Sequence, residues 1–322
     1  MLGVLLLFFS TVSISTSSII NFIPFPLSGQ RINTEKITNG ENFPASRPAV
    51  PIQKDKEEFT GSSTAVSAIV VDSNTKTILY NKNKGEVRPL ASISKLMSAM
   101  VLLDQPINWA STTVIADSDY DGSDHNVDVG EKFTLEDLWH VALIGSSNTA
   151  IRALVRAAGF TTDDFAKKMN EKAKDLRLYS ARFVEPTGLS DQNMANVYDT
   201  AKLLIDALKF DKIYKTVQIG EYYAHPLNGS KPKTIWSTNW LLTNWVPNDF
   251  KVQDIAGKTG YITDSGYNFA VDLTNDKKHT ITVVVLGTAS NEQRFSEARD
   301  LADWTFSHYL WPDDIGYKNL TE

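Results

Sequence analysis

The sequence predicts an α/β (α+β) domain: one antiparallel sheet of N- and C-terminal strands, flanked by helices, with an inserted, mostly helical lobe. Three observations carry this expectation. Strand-like runs lie early, at Ala65–Asp72 and Thr77–Asn81, separated by the turn residues Ser73-Asn74. Strand signals return only late, at Ile255–Ile262, Tyr267–Leu273 and Thr280–Leu286. Between the two sets, apolar residues recur at the helical period.

In chain order, residues 1–28 come first, with an apolar run, Val4–Phe9, followed by the small polar stretch Ser10–Ser18. That pattern reads as a secretory signal peptide. An uncleaved membrane anchor continuing through Ile19–Phe25 is the alternative. Both imply export to the periplasm or another extracytoplasmic part of the envelope, with membrane contact only through this segment. Residues 29–61 turn polar, with Pro44, Pro48, Pro51 and the charged run Lys54–Glu58, and read as a flexible linker. An arm packed on the domain surface competes with that reading. The folded domain is expected over 62–312, with a short tail at 313–322.

Within that domain, Pro89 ends the extended chain. Leu96, Met97, Met100, Val101 and Leu103 then follow at helical spacing. Further helices are expected at Leu135–Ile144, Thr149–Ala158, Thr162–Leu176 and Tyr198–Leu208, with a last one over about Glu292–Tyr309. Turn-like stretches at Asp117–Asp124 and Pro186-Thr187-Gly188 separate them.

Composition excludes several functions. The chain has 322 residues and a formal net charge of −6, against a nucleic-acid footprint or a polybasic membrane patch. With no cysteine, disulfides, thiolate metal sites and cysteine nucleophiles drop out. The five histidines, His125, His140, His225, His279 and His308, never pair at i,i+4 or as H-x-H. No metal site and no cofactor is expected.

Three short polar clusters bear chemistry: Ser92-Ile93-Ser94-Lys95, Ser146-Ser147-Asn148 and Lys258-Thr259-Gly260. Ser92 falls in the first turn of its helix, and Lys95 lies on the same face because residues i and i+3 are neighbours. A serine hydroxyl needs a base to take its proton, and Lys95 is the candidate. Burial and the nearby charge of Lys258 would favour its neutral amine. Ser146 would relay a proton to a leaving amine, and Asn148 would hold a substrate amide and the Lys95 ammonium. Lys258 and Thr259, on an edge strand, would hold a carboxylate. Gly260 would let a backbone approach the ligand closely. A strand beside the cleft also offers main-chain pairing to an extended peptide.

Each cluster alone has a plainer reading. Ser92 could be a helix cap, Ser146–Asn148 a polar helix-to-helix turn, and Lys258–Gly260 a solvated bend. Ser-x-x-Lys recurs at Ser73–Lys76 and Ser230–Lys233, and Ser-x-Asn at Ser237–Asn239. The first two of these sit in turn-like contexts, whereas Ser92 opens an apolar-periodic segment. Gly257-Lys258-Thr259 is not a phosphate-binding loop, since Val252 stands where that motif needs its first glycine. The ordered set is what carries meaning.

With its flanks, the set resembles the low-molecular-mass penicillin-binding proteins, serine D-Ala-D-Ala peptidases of the bacterial wall, in their D-alanyl-D-alanine endopeptidase branch. The segments are Arg88–Met97, Phe183-Val184-Glu185-Pro186-Thr187-Gly188-Leu189-Ser190, Ser237–Leu242 and Ala256–Thr263, within a likeness spanning about Ser63 to Phe306. The resemblance implies a β-lactamase/penicillin-binding transpeptidase-like fold. It implies acylation of Ser92 by a peptidoglycan peptide ending in D-Ala, with Lys95 as base. Ser146 and Asn148 belong to the second motif, and Lys258, Thr259 and Gly260 to the third. It further implies an oxyanion hole of the Ser92 and Tyr261 backbone amides, and β-lactams as covalent inhibitors. Two rivals stand beside it. One is a class A-like β-lactamase, which needs a water-activating glutamate, for which Glu185 is the candidate. The other is a catalytically silent wall-binding protein.

Overall fold

The computed structural model describes residues 49–122, 124–229 and 231–320. The expected signal or anchor, most of the expected linker and the Ser230 of one recurring motif lie outside the described residues. Five antiparallel strands form the main sheet: β1 (Ser67–Asp72), β2 (Ile78–Lys82), β3 (Ile255–Ile262), β4 (Gly266–Thr274) and β5 (Thr280–Thr288). Their order is β3-β4-β5-β1-β2, so early and late strands join at the β5–β1 pair, with Val283 opposite Val70. This is the expected fold class, and β3, which carries the third cluster, is an edge strand.

Side chains alternate across a strand, and here both faces are covered. One set, including Val70, Phe269, Val271, Ile281, Val283 and Val285, packs with Phe295, Ala298, Leu301 and Ala302 of the last helix, α7 (Gln293–His308). The opposite set, Ile69, Val71, Ala270, Val284 and Leu286, faces the inserted helices. Fully burying such side chains contributes roughly 1.5–3 kcal/mol each, which explains why β1 has no polar–apolar alternation.

The lobe holds α1 (Lys95–Leu103), α2 (Leu135–Ile144), α3 (Asn148–Ala157), α4 (Thr162–Asp175), α5 (Val197–Ala207) and α6 (Asp211–Val217). Local capping chemistry sets several starts: Thr134, Ser147, Thr161 and Asn196 each accept a hydrogen bond from the backbone three residues on. Ser92 differs from expectation by lying in a short 3₁₀ turn, Ala91–Ser94, that leads into α1.

Several features went unpredicted because each is too short to display a period, among them α6, the pair Thr112–Val114 with Lys132–Thr134, and the hairpin Glu221–Ala224 with Lys233–Trp236. The chain also departs from the expected linker and tail. Ile52–Gln53 pairs with Tyr309–Leu310, and the Tyr317 hydroxyl donates to the Val50 carbonyl at 2.8 Å. Glu297 accepts from Ser63, Thr64 and Ala65, fixing the approach to β1. Backbone pairing thus orders part of what composition alone marked as tether. Among the described residues no helix is long and apolar enough to cross a membrane.

Candidate active site

The three clusters, far apart in sequence, meet at the junction of α1, the α2–α3 turn and edge strand β3. Lys95 is wholly buried, and its Nζ lies 2.7 Å from Ser92 Oγ, 2.6 Å from Asn148 Oδ1 and 2.8 Å from the Thr187 carbonyl. A neutral amine has two N–H donors and one lone pair. Asn148 and Thr187 take the donors, which aims the lone pair at the Ser92 hydroxyl. Burial lowers the Lys95 pKa to about 7, against the opposing pull of Glu185, Asp124 and Asp121.

The second lysine is equally enclosed. Lys258 Nζ donates to Ser146 Oγ at 2.7 Å and to the Thr259 carbonyl at 3.2 Å. Burial first, then Lys95 and Arg294, hold its pKa well below that of an ordinary lysine. The Thr259 hydroxyl shares a 2.6 Å hydrogen bond with Thr238, which sits in the recurring Ser237-Thr238-Asn239 motif. Asn239 there accepts from the Leu241 and Leu242 amides and shapes a turn.

Backbone strain positions both serines. Ala91, just before Ser92, has φ of 49°, and Ser146 itself has φ of 61°. Left-handed backbone outside glycine costs on the order of 1–3 kcal/mol and persists only where the surroundings impose it. Around the Ser146 turn, Asp124 accepts from Ser147 Oγ and from Thr149 N, and Asp121 accepts from Asn148 Nδ2 at 2.6 Å. Ser147 also caps α3, so the plainer turn reading of this cluster holds alongside the chemical one.

Gly260 is also confined from within the chain. A Cβ there would meet the nucleophile turn, at 2.5 Å from Leu90 O and 3.1 Å from Ser92 N. Gly188 is still more confined: with φ of 88°, a Cβ would stand 1.9 Å from Ala91 O. The Ser92 amide is therefore bracketed by two glycines, and the peptide unit joining Gly260 to Tyr261 lies beside it. Tyr261 is half exposed, and its ring stacks on Tyr267 at 4.4 Å.

Glu185 does not face the nucleophile as a free carboxylate. It accepts from Thr187 N at 2.7 Å, Thr187 Oγ1 at 2.6 Å, Gly188 N at 2.6 Å and Asn193 Nδ2 at 3.1 Å. Its lone pairs hold the loop whose Thr187 carbonyl meets Lys95. An activated water has no place on a carboxylate so occupied, and this counts against the class A-like β-lactamase. Ser73, of the first recurring Ser-x-x-Lys, contacts Thr282 at 2.9 Å in the β1–β2 turn.

The matched region agrees with these contacts. The family model Peptidase_S11, D-alanyl-D-alanine carboxypeptidase, matches residues 53–302. The chain belongs to this peptidase family. Among S11 relatives it is 32% identical to the D-alanyl-D-alanine endopeptidase of Haemophilus influenzae, over 72% of this chain and 78% of the other. It is also 32% identical to that of Escherichia coli, over 82% and 87%. The crystal structure of the Streptomyces K15 DD-transpeptidase superposes with a TM-score of 0.69 at 25% identity, covering 77% of this chain and 98% of that one.

Three groups of this S11 site escaped sequence reasoning. Asn268, fully buried on β4, donates to Pro89 O at 2.9 Å and accepts from Gly287 N, tying the nucleophile segment to the sheet. Arg294 of α7 donates to Gly260 O at 3.0 Å, behind the third cluster. Thr187 meets Lys95 through its carbonyl. None has a local signal, because a backbone oxygen or a single buried polar residue has no spacing to read.

Proposed function

We propose that this chain hydrolyses peptidoglycan peptides at D-Ala through a Ser92 acyl-enzyme, with Lys95 as general base. The observation that carries this is the buried Lys95 amine, 2.7 Å from Ser92 Oγ, with a pKa near 7. Neutral Lys95 takes the Ser92 proton while Oγ bonds to the carbonyl carbon of the D-Ala residue. The developing oxyanion is held by the Ser92 and Tyr261 amides, a contribution of the kind that donor removal shows to be worth about 10²–10³ in rate. As the C–N bond breaks, the proton passes to the leaving amine through Ser146. Water then attacks the ester with Lys95 accepting its proton, and that proton passes to Ser92 Oγ as the acyl C–O bond breaks and the acid leaves.

Lys258 and Thr259 take the substrate's terminal carboxylate. An incoming anion favours charged Lys258, and that charge in turn keeps Lys95 neutral, so binding prepares the base. Edge strand β3 adds main-chain pairing to the peptide. A β-lactam places a strained amide and a carboxylate on the same groups and acylates Ser92. The leaving group is a terminal D-Ala or the amine of a cross-link. This chemistry belongs outside the cytoplasm, where residues 1–28 would deliver the chain as a cleaved signal or an anchor. A fluorescent penicillin should label wild type covalently and leave Ser92→Ala unlabelled; equal labelling of both would refute Ser92 as nucleophile.

A further inference from the structure

A groove of about 580 Å³ lies along α3, between the Asp119 segment and the Glu185–Pro186 turn, the turn that leads into the Thr187 carbonyl held by Lys95. Arg152 and Val155 of α3 line it. Arg152 is one helical turn beyond Asn148 and so continues the face that meets Lys95. The groove is also near enough to the base that Arg152 acts on the Lys95 ammonium.

Its charges are unequally engaged. Arg156 is paired with Asp119 at 2.7 Å, and Glu185 is occupied by its own loop. Arg152 has a 3.4 Å contact from Nη1 to the Tyr120 carbonyl, and among the described residues no carboxylate pairs with it. A half-buried guanidinium has five donors suited to a planar carboxylate. Neither Lys258 nor Thr259 lines this groove, so the terminal carboxylate is bound elsewhere.

We propose that Arg152 binds a second carboxylate of the substrate, carried by the peptide on the amino side of the scissile D-Ala–D-Ala bond. This deepens the proposed function and rests on it. Two such groups exist in a stem peptide: the α-carboxylate of D-isoglutamate at the second position, and the side-chain carboxylate of diaminopimelate at the third. Arg152 is then a specificity residue and performs no step of the chemistry.

The test is equilibrium binding of synthetic pentapeptides ending in D-Ala-D-Ala to the Ser92→Ala protein. One pair exchanges isoglutamate for isoglutamine, and the other exchanges diaminopimelate for lysine. At least one exchange should weaken binding about tenfold or more, the scale of a lost charge-assisted pair, and so identify the carboxylate. The added Arg152→Gln change should abolish that preference, and Arg152→Lys should retain part of it. Equal binding within each pair, no binding of any peptide, or a preference that survives Arg152→Gln would overturn the proposal. Hydrolysis of the same peptides by wild type is scored separately. Failure there counts against the peptidase mechanism, whatever the binding shows.

Discussion

Gly260 lies against Ser92 with no room for a side chain, since a methyl group there would stand 3.1 Å from the Ser92 amide nitrogen. The contact joins β3 to the nucleophile turn, so the strand of the third cluster and the Ser92 hydroxyl are packed as one unit. Asn268 and Arg294 brace the same junction from β4 and α7.

Gly260→Ala should therefore act through the nucleophile rather than through substrate contact. Backbone oxygen at 2.5 Å cannot yield as a flexible side chain can, so a loss of about 1–3 kcal/mol in stability is expected. Labelling by fluorescent penicillin should slow by at least about tenfold, since displacing the turn misplaces Oγ. Thermal melting and labelling time courses on the same sample check both effects; wild-type labelling would show that the contact has slack.

The pH dependence has a defined direction. Lys95 acts as base only when neutral, so acylation should rise roughly tenfold per pH unit below 7 and level off above it. Stability should move the same way. Its folded pKa, about 7, lies below the unfolded 10.5, so between those values the unfolded chain holds a proton that the folded chain lacks. Stability on this account rises with pH across that window, and Lys258 adds to it in the same direction. Denaturant titrations of wild type and Lys95→Met at pH 7 and pH 9 should show the difference between them changing with pH. An acylation rate flat from pH 6 to pH 8 would count against Lys95 as base.

Glu185→Gln separates the peptidase from the lactamase. The amide nitrogen would face the donors of Thr187 or Gly188, at a cost of about 1–3 kcal/mol for an unsatisfied buried group. Acylation should fall because the Thr187 carbonyl loses its hold on Lys95. Decay of the benzylpenicillin acyl-enzyme, followed by intact mass, should slow by no more than acylation does, since Lys95 is the base in both steps. A selective block of that decay with acylation intact would instead mark Glu185 as the base for the deacylating water.

Lys258→Ala should weaken acylation by peptide and β-lactam alike by about 10²-fold, because a buried carboxylate loses its charged partner. Thr238→Val, which removes only the 2.6 Å contact to Thr259, should cost roughly tenfold or less. Second-order acylation constants for the two variants decide the order; a larger loss for Thr238→Val would reverse the assignment of the anion clamp.

What the sequence made legible follows from range. Ser92 and Lys95 could be paired because i and i+3 share a helix face, and the continuous β-branched runs of β1 and β5 marked the sheet. Ser146, Asn148, Lys258 and Thr259 were legible as residue types in order, while their meeting depends on a β5–β1 pairing that only the whole chain makes. The Thr187 carbonyl, the Glu185 clamp and the left-handed Ala91 are products of tertiary packing and have no local pattern. Gly260 was singled out for close approach, but its packing against Leu90 and Ser92 was not legible, because a glycine in sequence does not say what it lies against. Likewise, Ile52–Gln53 sits in a tether-like composition, and pairing with Tyr309–Leu310 overrides it.

The most direct measurement is digestion of purified cross-linked and uncross-linked muropeptides by wild type, Ser92→Ala and Ser73→Ala, read by mass spectrometry. Wild type and Ser73→Ala are expected to release terminal D-Ala or sever D-Ala cross-links, while Ser92→Ala leaves the substrates at their starting masses. Full digestion by Ser92→Ala, or intact substrate with all three proteins, would contradict a Ser92 acyl-enzyme peptidase.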